Sequence, residues 1–158
     1  MITQEFLKTH FDYKDGYLYW KNNRRSNKVK DKKAGCLNIN GYFNLKINYK
    51  SYKMHRLIFM WHFGFLPNEV DHIDGNPLNN QIENLRAASR SQNQQNKKIQ
   101  KNNTSGFKGV YKHKNKWRVR LMINKKSKSF GLYDDIELAE LVAIEARNKY
   151  HGEFARHN

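Results

Sequence analysis

Val70-Asp71-His72-Ile73-Asp74-Gly75-Asn76, followed by Asn79-Asn80, Ile82-Glu83-Asn84-Leu85-Arg86 and then Ser89 to Asn96, is the stretch on which the reading of this chain turns. Its pattern predicts a strand, a polar loop carrying Pro77, a short second strand near Leu85 and Arg86, and a helix beginning close to Ser89. Ser89 suits the helix start, because its hydroxyl can accept from an exposed amide of the first turn. The helix itself is polar, so its packing support must come from elsewhere.

The residue types in this stretch match the needs of phosphodiester hydrolysis. That reaction requires an activated water, an acceptor for its proton, and compensation of the charge that grows on the phosphate and leaving oxygens. Imidazole is suited to take the proton, which makes His72 the candidate base. Asp71 offers an anionic oxygen and the Asn93 amide a neutral one, with phosphate oxygens and waters completing the shell of a single hard cation, Mg²⁺ or Mn²⁺. Asn84 is expected to accept a hydrogen bond from one imidazole nitrogen and so direct the other at the water. Adjacent strand residues point to opposite sides, so a twist or bend is expected to let Asp71 and His72 share the site.

Upstream, turn signals at Lys14-Asp15-Gly16, Gly35, Asn40-Gly41 and Asn48 separate strand-like stretches at Tyr17 to Trp20, Tyr42 to Ile47 and Ser51 to Met54. Asn40-Gly41 reads as a hairpin turn. Leu57, Ile58 and Trp61 recur at helical spacing between His55 and His62, and Gly64 with Pro67 stops that helix. Arg24, Arg25, Lys28 and Lys30 form a basic stretch that can follow a nucleic-acid backbone or simply be a solvated loop; Arg56 and Arg86 add cations beside the catalytic stretch.

Downstream, Lys97 to Thr104, with Lys97 and Lys98, suits either a basic linker or a basic helix laid on DNA. Beyond it, Trp117, Val119, Leu121 and Ile123 alternate with Arg118, Arg120 and Met122, which predicts a strand with one apolar and one mostly cationic face. Asp134 and Glu137 form a candidate capping box for a helix to about Tyr150, with Ile136, Ala139, Ala143, Ala146 and Tyr150 along one stripe. From Asn102 to Tyr133 there are nine Lys or Arg and no acid, whereas Asp134 to Tyr150 carries five acids against two cations. A helix covering the apolar face would leave a cationic sheet face suited to a DNA groove, with Arg118 and Arg120 toward bases and Lys112, Lys114 and Lys116 toward phosphates.

Composition bounds the partners. Thirty Lys and Arg against 14 Asp and Glu in 158 residues give a formal charge of +16, which favours a polyanion and opposes self-association, so double-stranded DNA and a monomer are expected. The single cysteine, Cys36, excludes an intrachain disulfide framework and a Cys-rich zinc site. No apolar run approaches the roughly 20 residues that span a bilayer. No membrane and no small-molecule cofactor are expected, and the site of action is read as cytoplasmic.

Taken together, Val70 to Asn76, Asn79-Asn80, Asn84-Leu85-Arg86 and Gln92-Asn93 with Asn96, preceded by His55-Arg56, Trp61 and Pro67, resemble the HNH homing endonucleases of phages and mobile introns. The resemblance implies a ββα-metal fold, His72 as general base, Asn84 as its orienting residue, and Asp71 with Asn93 as metal ligands. Asn93 stands where the named pattern has its last histidine, a substitution shared by some phage intron endonucleases. Separately, Ser105 to Val110, Trp117 to Arg120, Phe130 to Tyr133, the Ala-rich helix and His151 to Ala155 resemble an AP2-type DNA-binding domain. The expected fold class is α+β: a β-rich DNA-contacting region at 1–54, an HNH core at 55–96, a basic linker at 97–104, and at 105–158 a three-stranded antiparallel sheet packed on one helix. The expected function is metal-dependent cleavage of duplex DNA at an extended site, as a nick or a double-strand cut, in a phage-infected bacterium. The alternative is a sequence-specific DNA-binding regulator with a decayed nuclease module.

Overall fold

A computed structural model describes residues 2–21 and 32–157, and the chain divides into two compact units, 1–89 and 90–158. The first unit opens with helix α1 (Gln4–His10), started by the Thr3 hydroxyl, which accepts from the Phe6 amide at 3.1 Å. Strands β1 (Phe11–Lys14) and β2 (Tyr17–Trp20) form an antiparallel hairpin through Asp15-Gly16, both at positive φ. Strands β3 (Cys36–Leu37), β4 (Phe43–Ile47) and β5 (Lys50–Lys53) make a second antiparallel sheet in that order. Helix α2 (Met54–Phe63) follows directly and stops at Gly64, whose left-handed backbone returns its amide to the Met60 carbonyl at 2.9 Å. Strand β6 (Glu69–His72) then pairs antiparallel with β7 (Leu85–Ala88), the connection ending in a 3₁₀ turn at Ile82–Asn84.

One hydrophobic core draws on all of these elements except β3, whose two residues are exposed. Leu7, Phe11, Leu18, Leu45, Ile47, Met54, Leu57, Ile58, Phe59, Val70 and Leu85 are buried in a single cluster. The spacing of Leu57 and Ile58 predicts the buried stripe of α2, and Met54 extends it by one turn. The apolar side chains of the N-terminal residues share a core with Val70 and Leu85 of the β6–β7 pair. Helix α1 and strand β1 carry no periodic signal of their own; their burial depends on α2, whose Trp61 indole donates to the Phe11 carbonyl at 3.3 Å.

The second unit begins with helix α3 (Arg90–Gln95). Strands β8 (Val110–His113), β9 (Lys116–Ile123) and β10 (Lys126–Tyr133) form an antiparallel sheet with β9 central, and helix α4 (Ile136–His151) packs on it. Val110, Val119, Ala139 and Ala143 make the buried centre, where the alanines let helix and sheet approach closely. The helix is capped by Asp135, which accepts from the Leu138 amide at 2.9 Å, rather than by Asp134, which pairs with Lys116 at 3.1 Å. Its stripe also differs from the sequence pattern: Arg147 is buried, donating to the Lys108 carbonyl and to His157 Nδ1, while Tyr150 is exposed. A bulge sets Phe130 out of register between Ser129 and Gly131. Gly131 is required there, since it sits at φ +121° and a Cβ would meet the Tyr133 side chain at 2.8 Å.

The 97–104 segment belongs to this unit and is tied to it. Lys108 Nζ donates to the carbonyls of Gln95 and Lys97, each at 2.6 Å, and the Asn103 side chain accepts from the Gly106 amide at 2.8 Å. Among the described residues no helix is long and apolar enough to cross a membrane.

Candidate active site and nucleic-acid surface

The antiparallel register sets Asp71 opposite Arg86 and His72 opposite Leu85. Arg86 uses that placement fully: its Nε and Nη2 lie 3.0 and 2.9 Å from Asp71 Oδ2, and both side chains are largely buried. A buried ion pair needs such multiple hydrogen bonding to offset the loss of hydration. Arg86, expected as a DNA contact, thus commits its guanidinium to the Asp71 carboxylate.

His72 is the last residue of β6 and is also buried. Its Nε2 lies 3.0 Å from Asn80 Oδ1. The His55 ring of α2 meets it edge-on at a centroid distance of 4.8 Å, and Tyr42 lies beyond at 6.5 Å. Burial, with the neighbouring His72, Lys53 and Arg56, pushes the His55 pKa down to about 3, so this second ring is neutral at neutral pH.

Asn84 is engaged elsewhere, and the imidazole nitrogen expected to donate to Asn84 lies against Asn80 Oδ1 instead. The Asn84 Oδ1 accepts from the Asp74 amide at 3.0 Å, while its Nδ2 donates to Asp74 Oδ1 at 2.9 Å and to the Asn79 carbonyl at 2.8 Å. Asp74 also accepts from the Asn76 amide and the Asn79 Nδ2, both at 2.7 Å. Burial works against the Asp74 charge, but these hydrogen bonds and His72 outweigh it and lower its pKa. The physical reason for the exchange is spacing: Asn84 follows the loop and staples its two ends together, whereas Asn80 lies within the loop.

Sequence pattern marks Asn80 only as a loop residue and His55 only as part of the approach to the motif. Neither has a stronger signal in one sequence, because their nearness to His72 is created by the loop closure and by α2.

The donor chemistry for a cation is hard oxygen only. Among the described residues there is no group of three or more His, Cys, Asp or Glu able to hold a metal ion, so a cage built from such side chains is not present. Asp71 is a buried carboxylate whose Oδ2 is held by Arg86, a hard oxygen donor of the kind Mg²⁺ binds through one or two carboxylates with waters retained. Asn93 lies on α3, in the second unit.

The other predicted cations divide by environment. Arg24, Arg25, Lys28 and Lys30 lie outside the described residues. Arg56 donates to the Pro67 and Asn68 carbonyls, both at 3.2 Å, holding the turn after α2. Lys97 and Lys98 line a cavity of about 360 Å³ together with Lys108 and Tyr111. Lys114 sits in a turn at φ 55° and Lys116 is paired with Asp134. Lys112 pairs in register with Trp117 and reaches its ring at 6.0 Å, so strand alternation puts it on the face opposite Arg118 and Arg120.

The open face of the sheet is less uniformly cationic than alternation suggests. Arg118 lies in register with Tyr111 on one side and Leu132 on the other, and its Nη2 donates to His113 Nε2 at 2.9 Å. Arg120 stacks over the Tyr111 ring at 5.1 Å. Tyr111, Met122 and Leu132 are 45%, 56% and 45% exposed, so two arginines are set among apolar side chains.

Comparison with known proteins adds an independent line. A model of the HNH endonuclease family matches residues 52–95, which span α2, β6, β7 and α3 and include all four candidate nuclease residues. A curated relative, Protein 3.8 of Escherichia phage T7, is 40% identical over 89 residues, covering 55% of this chain and 73% of that protein. The chain belongs to the HNH endonuclease family. No solved structure matches it at a significant level. The HNH match begins within β5 and runs past the division between the two units, so the HNH motif occupies the centre of a longer basic chain with a relative in a phage.

Proposed function

We propose that this HNH protein is a metal-dependent endonuclease that hydrolyses phosphodiester bonds of double-stranded DNA at an extended site, acting in the manner of a homing endonuclease in a phage-infected cell. The observation that carries the reading is the buried His72, hydrogen-bonded at Nε2 and directly following the Arg86-anchored Asp71 at the end of β6. Two-stranded ribbons twist strongly, which favours the approach of both side chains to one scissile group at the ribbon's end. His72 takes the proton of the attacking water. Asp71 supplies an anionic oxygen for Mg²⁺ or Mn²⁺, and the sequence motif assigns Asn93 as a neutral second donor. When bound, the cation compensates charge on the phosphate and leaving oxygens. Arg86 keeps the Asp71 carboxylate fixed in place.

The second unit serves as an AP2-like DNA-binding module. Arg118 and Arg120 contact bases, with Tyr111, Met122 and Leu132 supplying apolar contacts such as those to thymine methyl groups. Lys97, Lys98 and Lys114 contribute sequence-independent attraction to phosphates.

The test is cleavage of a randomised duplex library by the full-length protein in Mg²⁺ or Mn²⁺, mapping both strands, beside a chelator control and His72→Ala. Site-specific scission by wild type, with retained binding but no scission by His72→Ala, is the expected result. Metal-independent binding without scission of a bound target would instead identify a DNA-binding regulator.

A further inference from the structure

We infer that Asn80 is the positioning residue for the His72 base, set in place from the N-terminal hairpin, and that it selects the imidazole tautomer whose proton is on Nε2 and whose basic nitrogen is Nδ1. This rests on the reading of His72 as the proton acceptor.

Three observations carry the inference. First, Asn80 is 2% exposed and presents Oδ1 to His72 Nε2 at 3.0 Å; a carbonyl oxygen accepts, so the ring must donate from Nε2. Second, the Asn80 Nδ2 is buried with no hydrogen-bond partner among the described residues. A buried donor without an acceptor is a cost to folding, and an apolar residue at this position would avoid it. An amide retained there serves the imidazole better than it serves stability.

Third, the Asn80 backbone is held from the β1–β2 hairpin. A Cβ built on Gly16 would lie 3.0 Å from the Gln81 nitrogen and 3.1 Å from the Asn80 carbonyl carbon, so the hairpin tip approaches the loop backbone more tightly than most side chains tolerate, at a φ of +77° that also favours glycine. Two residues on, the Ile82 amide donates to Tyr13 Oη of β1 at 3.0 Å. The hairpin, expected to contact DNA, acts in this reading as the brace of the loop carrying Asn80. Because Asn84 fastens the same loop to Asp74, the two asparagines divide the work: Asn84 closes the loop and Asn80 aims the ring.

The experiment uses the full-length protein labelled with ¹⁵N-histidine, the His72 signal being assigned by its loss in His72→Gln. The wild-type ring is expected as the Nε2–H tautomer, and Asn80→Leu is expected to lose that preference. In single-turnover assays Asn80→Leu should bind duplex with unchanged affinity and cleave about 10–100-fold more slowly. Asn80→Asp keeps an acceptor oxygen and should restore most of the rate, while Tyr13→Phe should slow cleavage severalfold without changing affinity.

A wild-type Nδ1–H tautomer overturns the inference, as does wild-type cleavage by Asn80→Leu, or an Asn80→Asp protein as slow as Asn80→Leu. Should Asn80→Leu not fold, the wild-type tautomer and the rate of Asn80→Asp decide. An unchanged rate for Tyr13→Phe removes the hairpin from the device. A wild-type protein that binds but never cuts defeats the proposed function, whereas the tautomer measurement still tests the role of Asn80 by itself.

Discussion

The β6–β7 loop of the first unit and the open sheet of the second are both rich in polar groups, and they use them in opposite ways. At the end of β6 and in this loop, Asp71, His72 and Asn80 are buried, and Asp74 and Asn84 are bonded to one another, so the chemistry-bearing groups have little rotational freedom left. On the sheet, Arg118 and Arg120 stand among exposed apolar side chains, the first bonded to His113 and the second stacked on Tyr111. The difference fits the proposed function of each region. Catalysis gains from groups whose orientation is fixed before the substrate arrives, while groove recognition needs long side chains that reach outward.

The comparison is broken most directly at its catalytic end. His72→Ala should lower the single-turnover cleavage rate by roughly 10²–10⁴-fold while leaving duplex affinity nearly unchanged, as read by quenched cleavage and filter binding. A parallel fall in affinity would mean that the buried loop also carries binding. Arg86→Met should be the next largest effect and should appear in stability, because it removes the guanidinium that pairs with the buried Asp71 carboxylate: a loss of about 3–5 kcal/mol by denaturant unfolding of the free protein. An unchanged midpoint would show that the ion pair does not hold the ribbon.

The pH dependence of stability sharpens the contrast further. His55 has a folded pKa near 3 against about 6.5 unfolded, so the folded state binds fewer protons between these values. Its contribution is fully present above pH 6.5 and is lost as pH falls from 6.5 towards 3, about 2 kcal/mol by pH 5. Acid unfolding monitored from pH 7 to 4 should be shallower in His55→Gln than in wild type. His62 is also lowered, chiefly by burial, and adds to the slope in the same direction.

The sheet should respond differently. Arg118→Ala is expected to cost about 1–3 kcal/mol in specific binding, with the cleavage rate at saturating duplex retained. Competition against a substituted target library checks it, since loss of a base contact relaxes preference at one position. The smallest effect is expected at Lys112, whose strand position faces away from Arg118; Lys112→Ala should leave sequence preference intact and change affinity by only about 0.5 kcal/mol or less.

Several of these placements are legible in the residues alone. The alternation from Trp117 to Ile123 requires one buried and one open face, and the turn at Gly64 requires α2 to stop, because side-chain period and backbone sterics are local properties. The Asp71-His72 pair followed by Asn84 and Asn93 reads as nuclease chemistry through its resemblance to the HNH motif, since water activation and cation binding restrict the residue types without singling these positions out. The capping of α4 is legible only to within one residue: Asp134 and Asp135 both offer a carboxylate, and Lys116 on β9 takes the first.

By itself, then, the sequence determined the α+β class, the strand–loop–strand around His72, the alternating sheet and the polyanion partner implied by its charge. Only tertiary structure decided that residues before 54 share a core with Val70 and Leu85, that Arg86 turns onto Asp71, that Asn80 rather than Asn84 meets the imidazole, and that Lys112 leaves the open face. The reason is that propensity and patterning act between near neighbours, whereas each of these contacts joins side chains through strand register, loop closure or burial and exists only once the chain has folded.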